Sequence, residues 1–370
     1  MKLNWIAVGT ALIAALGIPE GRSAEVIRGR RSLVLAGQDA RLVVDLAGGS
    51  IGDFRLRGSD VNPLNWAAPA EGKTQPSAFG HFLCLDRWGP PSDAEGANGM
   101  PYHGEATHVE WTLVTEPRTG DHIAGGEMSA RLPMAGLSIK RTLRLGAIGA
   151  TCVVREEVRN ENKLGRIFNM VQHPTLGGAF LDETTVVDCN GRRGFSQGGS
   201  LPHPEEPSSY WPQALNQDGQ SVNLRHLTSD PNPNVVSYAI DDEFGWVTAA
   251  TPGRGLLLGY LWRTRDYPWV NLWRDVRNGR PAARGLEFGT TGLHQPFPIL
   301  TRKGTIFGRQ LFEHLDAGES RTKSYAVFLG KVPSDFAGVG GIEVEKGRLL
   351  IRERGRGKER DILIEMGELP

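Results

Sequence analysis

Three stretches of the 370-residue chain gather side chains that could do chemistry together. His81-Phe-Leu-Cys-Leu-Asp-Arg-Trp-Gly-Pro-Pro91 runs on to Met100-Pro-Tyr-His-Gly-Glu-Ala106 and offers Arg87 and His103. Phe168-Asn-Met-Val-Gln-His-Pro-Thr-Leu-Gly-Gly178 offers Gln172 and His173. Trp262-Arg-Thr-Arg-Asp-Tyr-Pro-Trp-Val-Asn-Leu-Trp-Arg274 packs three Trp, one Tyr and three Arg into thirteen residues, with Trp269 at its centre. Aromatic faces beside hydrogen-bonding side chains suit pyranose rings, whose C–H faces stack while their hydroxyls need donors and acceptors. A metal is not expected: His103 and His108 flank Glu105, but residues five apart on a strand point to opposite faces. Cys84, Cys152 and Cys189 sit in apolar surroundings and read as small buried residues rather than nucleophiles, with one disulfide left open.

Such residues need a scaffold, and the composition says which kind. Gly (48) and Pro (23) make up about a fifth of the chain, which points to many tight turns between short elements. Apolar runs of period two recur throughout: Ala40–Leu46, Ile51–Leu56, Leu137–Leu145, Cys152–Arg159, Val235–Ile240, Leu256–Trp262 and Thr305–Leu315 are examples. No capped apolar stripe of helical period interrupts them. More than fifteen short strands without helical crossovers predict an all-β fold, a large antiparallel β-sandwich or barrel. In such a fold, long loops are expected to carry the site.

Lys+Arg and Asp+Glu balance at 42 each, which removes the global field expected of a nucleic-acid binder. Residues 1–23 read as a secretory signal peptide: Lys2, an apolar run from Trp5 to Ile18, then Pro19 and small residues up to Ser23. That run is short of the roughly 20 residues that span a bilayer. Cleavage after Ser23 leaves a periplasmic or secreted product with no membrane segment. The expected organisation is the leader, a main domain over 24–332, and a C-terminal hairpin appendage over 333–370 turned at Lys346-Gly347.

The order of four motifs resembles the galactose mutarotase-like superfamily of aldose 1-epimerases, nearest the branch related to glucose-6-phosphate 1-epimerases. The motifs are Trp88-Gly-Pro-Pro91 leading to Pro101-Tyr-His-Gly104, then Asn169-Met-Val-Gln-His173, then Arg284-Gly-Leu-Glu-Phe-Gly-Thr290, then the Gly318-Glu319 turn. The resemblance covers residues 30 to 330 and implies a β-supersandwich that opens and recloses sugar rings without a cofactor.

It further implies that Glu287 is the general base and His173 the general acid, with Arg87 and His103 holding sugar oxygens; Gln172 and Trp269 are the other expected contacts to a mono- or oligosaccharide. On the residues alone, His173 also fits an ordinary loop histidine and Glu287 a solvated carboxylate. The chain departs from the family where Pro174-Thr-Leu-Gly-Gly178 follows His173, so its pocket has a different shape. An exported protein seldom meets sugar phosphates, and Arg265, Arg274 or Arg277 could instead meet a uronate. The family's substrate-binding Asp has three possible counterparts, Asp188, Asp241 and Asp266. A non-catalytic carbohydrate-binding protein, and a glycan lyase or hydrolase using the same cleft, are the alternative readings.

Overall fold

The computed structural model describes residues 26–70, 78–119, 123–198, 206–367 and 369–370. The expected leader, residues 1–23, lies outside them. Two antiparallel sheets, of twelve and eight strands, stack face to face. Their inward residues form one apolar core, in which Leu35, Phe54, Leu143, Val154, Met170, Leu258 and Phe288 are completely or almost completely buried. The alternation that predicts strands is the alternation that builds this core: along Leu137–Gly146 every odd position is buried and every even one is partly or fully exposed.

Polar residues also occupy inward positions, and they are joined. Arg141 and Glu156 come from the eight-stranded sheet and pair at 2.6 Å. Glu156 also accepts from the Gln172 amide at 2.6 Å, and Gln172 reaches across to His81 at 3.0 Å and to the Tyr267 hydroxyl at 3.2 Å. Arg141 further donates to the Gly49 carbonyl and stacks over Trp111. All of these side chains are buried, so each depends on its partners for what water would otherwise provide.

The run Thr305–Leu315 is a correction to the sequence reading. It breaks into three two- or three-residue strands, because Phe307 and Gly308 both take positive φ and turn the chain. At the C-terminus, Val339–Glu345, Arg348–Glu353 and Ile362–Glu365 form a three-stranded sheet, one strand more than the expected hairpin. Its apolar side, Leu349, Ile351 and Ile364, packs on Trp246, Leu257 and Phe328 from the outer face of the eight-stranded sheet. Asp188 fastens it: the carboxylate pairs with Arg225 and Arg354 and accepts from the Val339 amide. Cys84, Cys152 and Cys189 are all free and buried. No helix among the described residues is long and apolar enough to cross a membrane.

Glu156→Ala leaves the Arg141 guanidinium buried without its carboxylate and Gln172 without its acceptor. It is expected to cost about 3–5 kcal/mol of stability, the usual effect of breaking a buried pair from one side. Urea unfolding monitored by tryptophan fluorescence measures it, and a loss below about 1 kcal/mol would show that the network carries no such weight.

Candidate active site

The outer face of the twelve-stranded sheet bears a cleft of about 1320 Å³. His173 and Glu287 stand at its floor, and both come from strands, as the sequence suggests for Glu287 but not for His173, which it puts in a loop. His173 lies in Arg166–Leu176 and Glu287 in Arg280–Gly289, neighbouring antiparallel strands. The pairs Gln172↔Phe288 and Thr175↔Gly285 place His173 opposite Glu287 on the same face. The imidazole Nε2 accordingly meets the carboxylate Oε1 at 3.2 Å. Gly285, next on that face, leaves little room for a side chain: a Cβ there would stand 3.0 Å from the Trp273 Cβ and 3.1 Å from the Glu287 carboxylate.

Each group is held by its other contacts. His173 Nδ1 meets the Thr175 hydroxyl at 2.9 Å, and its ring stacks on Phe82 with centroids 4.1 Å apart. Glu287 Oε2 accepts from the Trp88 indole N–H at 2.6 Å. His103 has φ +67°, in the left-handed region, and Gly104 follows at +78°. A Cβ on Gly104 would meet the Leu85 carbonyl at 2.0 Å, so this His-Gly pair is a docking requirement of the loop. The Gly89 amide donates to His103 Nδ1 at 3.0 Å, which fixes the ring proton on Nε2 as a donor.

Sequence reasoning missed His294, Trp88, Tyr102 and Trp273. His294 Nε2 meets the Tyr102 hydroxyl at 2.9 Å, and its ring stands edge-on to Trp88 with centroids 4.6 Å apart. The only sequence signal was its position, in Gly292-Leu-His-Gln295 just beyond the strand that carries Glu287.

Three expected sugar contacts are elsewhere. Arg87 is buried between two carboxylates, Asp86 at 2.6 Å and Glu95 at 2.8 Å, and lies over the Phe297 ring. Gln172 follows the strand alternation and points into the sandwich, away from the cleft. Trp269 shares a strand face with Trp273, but its end of the strand is roofed by Leu293, Phe297 and Phe307, so it is wholly buried. Trp273, four residues on, is the one that reaches the cleft.

Of the arginines proposed for a uronate, Arg265 is exposed beside Asp266, Arg274 is buried against the Pro233 carbonyl, and Arg277 lies on the cleft rim paired with Asp275. Asp188, Asp241 and Asp266 all stand outside the cleft, Asp188 in the C-terminal anchor and Asp241 paired with Arg193 and Arg309. Glu105 accepts from the Met134 and Ala135 amides, so it is engaged away from His103 and His108.

Burial dominates the electrostatics. It pushes His173 down to about 3 and His294 down to about 4, and holds His103 well below the usual imidazole range. It drives Glu287 well above the usual carboxylate range, against the opposing pull of the Trp88 hydrogen bond. The two touching groups therefore hold one proton between them near neutral pH. That is the inventory of one acid and one base, side by side on the cleft floor.

No family model matches the chain, and no curated protein sequence matches it. Solved structures do match. A galactose mutarotase-like protein from Clostridium acetobutylicum superposes with a TM-score of 0.61 at 13% identity, over 83% of this chain and 98% of that one. A galactose mutarotase related enzyme from Lactobacillus acidophilus gives 0.56 at 12%, over 82% and 98%. A candidate aldose 1-epimerase from Escherichia coli K12 gives 0.54 at 16%, over 81% and 99%.

Two measurements probe this electrostatic picture. Trp88→Phe removes the donor that favours the Glu287 carboxylate, so the Glu287 carboxyl should titrate at still higher pH, read by carbon-13 NMR. An unchanged or lower value would show that the indole does not set it. For stability, unfolded histidines titrate near 6.5, whereas folded His81 and His173 do so at about 3 and His294 at about 4. Below pH 6.5 the unfolded chain binds the extra protons, and stability is lost as pH falls toward 4. The raised carboxyls of Glu287, Asp45 and Asp266 oppose this trend, but four lowered histidines, His103 included, set its direction. Melting temperature should fall steadily between pH 6.5 and 5; a flat or rising curve would contradict the buried neutral histidines.

Proposed function

On this galactose mutarotase-like fold we propose that the protein is an aldose 1-epimerase, interconverting the anomers of a sugar by acid–base ring opening. The contact between His173 and Glu287 carries the reading, since it sets an imidazole and a carboxylate within one C–O unit of each other.

A sugar inserted at the pair presents its anomeric hydroxyl to Glu287 and its ring oxygen to His173. Burial favours the shared proton on Glu287, and the Trp88 hydrogen bond pulls the other way, toward the reactive form in which Glu287 is the carboxylate and His173 carries the proton. Glu287 takes the proton from O1, the electrons of that O–H bond form the C1 carbonyl, the C1–O5 bond breaks, and His173 protonates O5. Rotation about C1–C2 turns the carbonyl over. O5 then attacks the other face of C1, Glu287 returns its proton to O1, and His173 recovers its own from O5. No atom is gained or lost. His103, with its Nε2–H fixed as a donor, supplies a hydrogen bond to oxygens that gain charge during opening.

The direct contact offers a further economy. A proton stranded on Glu287 after the open-chain sugar departs can pass to His173 across 3.2 Å without solvent. The apolar run from Trp5 to Ile18 after Lys2 supports an export leader, and with it a reaction in a periplasm or beyond the cell.

Saturation-exchange NMR between anomers tests the activity. Glu287→Gln and His173→Gln should each lower the exchange rate by about a hundredfold or more, the range for a positioned acid or base. Wild-type protein that fails to accelerate exchange of any aldose, or variants that match it, would overturn the reading.

A further inference from the structure

The acid–base pair occupies one end of a much longer trough. Six consecutive strands of the large sheet border it, from the strand of Phe82 through those of His173, Glu287, Trp273 and Val235 to that of Ser196. At roughly 4.8 Å per strand the trough is about 24 Å across, several times the width of a pyranose ring. Its volume of about 1320 Å³ exceeds the few hundred to 1,000 Å³ of ordinary small-ligand pockets.

The two ends differ in chemistry. Around Glu287 the walls are aromatic and imidazole, and the reacting side chains are nearly dry. Beyond Trp273 the walls include several neutral polar groups: Gln217 in the turn that joins Gln213–Leu215 to Ser221–Asn223, the loop residues Asn232 and Asn234, and Ser208. Among the described residues Arg277 is the only lysine or arginine on the wall, and it is paired with Asp275 at 2.8 Å. Burial also disfavours the charge on His103, His173 and His294. Among the described residues the one guanidinium that an anionic sugar would meet is already paired. Neutral hydroxyls would find amide donors and acceptors, and sugar rings would find Trp273 and Trp66 at the junction.

We infer that the natural ligand is an uncharged oligosaccharide, bound with its reducing-end ring at Glu287 and His173 and its remaining rings along the amide-lined arm. This inference rests on the acid–base reading for the position of the reducing end, and on the trough itself for length and charge.

The test is a chain-length series measured for binding and for exchange separately. Reducing tetrasaccharides of glucose, mannose, galactose and xylose are compared with their parent monosaccharides, with galacturonic acid tetramer and with glucose 6-phosphate, by calorimetry and by anomer-exchange NMR. At least one neutral tetrasaccharide should bind ten times or more tighter than its monosaccharide and than either anionic ligand. Gln217→Ala combined with Arg277→Ala, both at exposed positions away from the acid–base pair, should weaken that tetrasaccharide about tenfold and leave the monosaccharide unchanged. Equal affinity at both lengths, preference for an anionic ligand, or equal weakening of both lengths in the variant would overturn the inference. Exchange without chain-length preference would sink it while sparing the epimerase; chain-length preference without exchange on any sugar would do the reverse.

Discussion

Much of this structure depends on one strand being held from behind. In Arg166–Leu176, Gln172 and His173 are consecutive and so face opposite ways. Gln172 is fastened inside the sandwich by Glu156, Tyr267 and His81, while His173 faces the cleft. A slip of one residue would drive the imidazole into the core and the amide into the cleft, and would leave Glu156 and its partner Arg141 buried without Gln172. An apolar interior alone would tolerate such a slip more easily, because Met170 and Val171 are of similar size and polarity. The polar network gives the register its specificity, and the register gives the site its geometry.

The same logic explains the contrast between the two faces of the sheet. Inside, Arg141 and Glu156 are charged partners whose attraction is offset by desolvation, stable because every neighbour completes them. Outside, His173 and Glu287 are partners of a different kind, each pressed toward its neutral form by burial and left with one proton to share. Trp88 tilts that balance through a single hydrogen bond, and Phe82 and Thr175 fix the ring that receives the proton. The shared proton depends on dryness around the pair, whereas the amide-lined arm of the cleft is polar.

The all-β class and the motif order were legible in the chain, because period-two alternation and Gly-Pro punctuation are local signals. The pairing of His173 with Glu287 could be reached only through resemblance, since two weak motifs 114 residues apart carry no geometric information of their own. The errors share a cause. Arg87, Gln172 and Trp269 are polar or aromatic residues of the expected type, but their roles depend on what covers a given stretch of strand. Asp86 and Glu95 claim Arg87, the sandwich interior claims Gln172, and the Phe297 segment roofs Trp269. Nothing in local spacing shows a roof. For the same reason Trp88 and His294 were invisible: each acts through a partner distant in sequence, Glu287 in one case and Tyr102 in the other.

The small C-terminal sheet has a bearing on the molecule's behaviour as a colloid. Its apolar side hides Trp246, Leu257 and Phe328, which otherwise form a continuous greasy surface on the back of the eight-stranded sheet. A chain clipped near Pro333 would keep its cleft yet display that surface to its neighbours, and molecules of this kind stick to one another. The last few dozen residues thus act as a built-in coat, keeping the face opposite the cleft wettable.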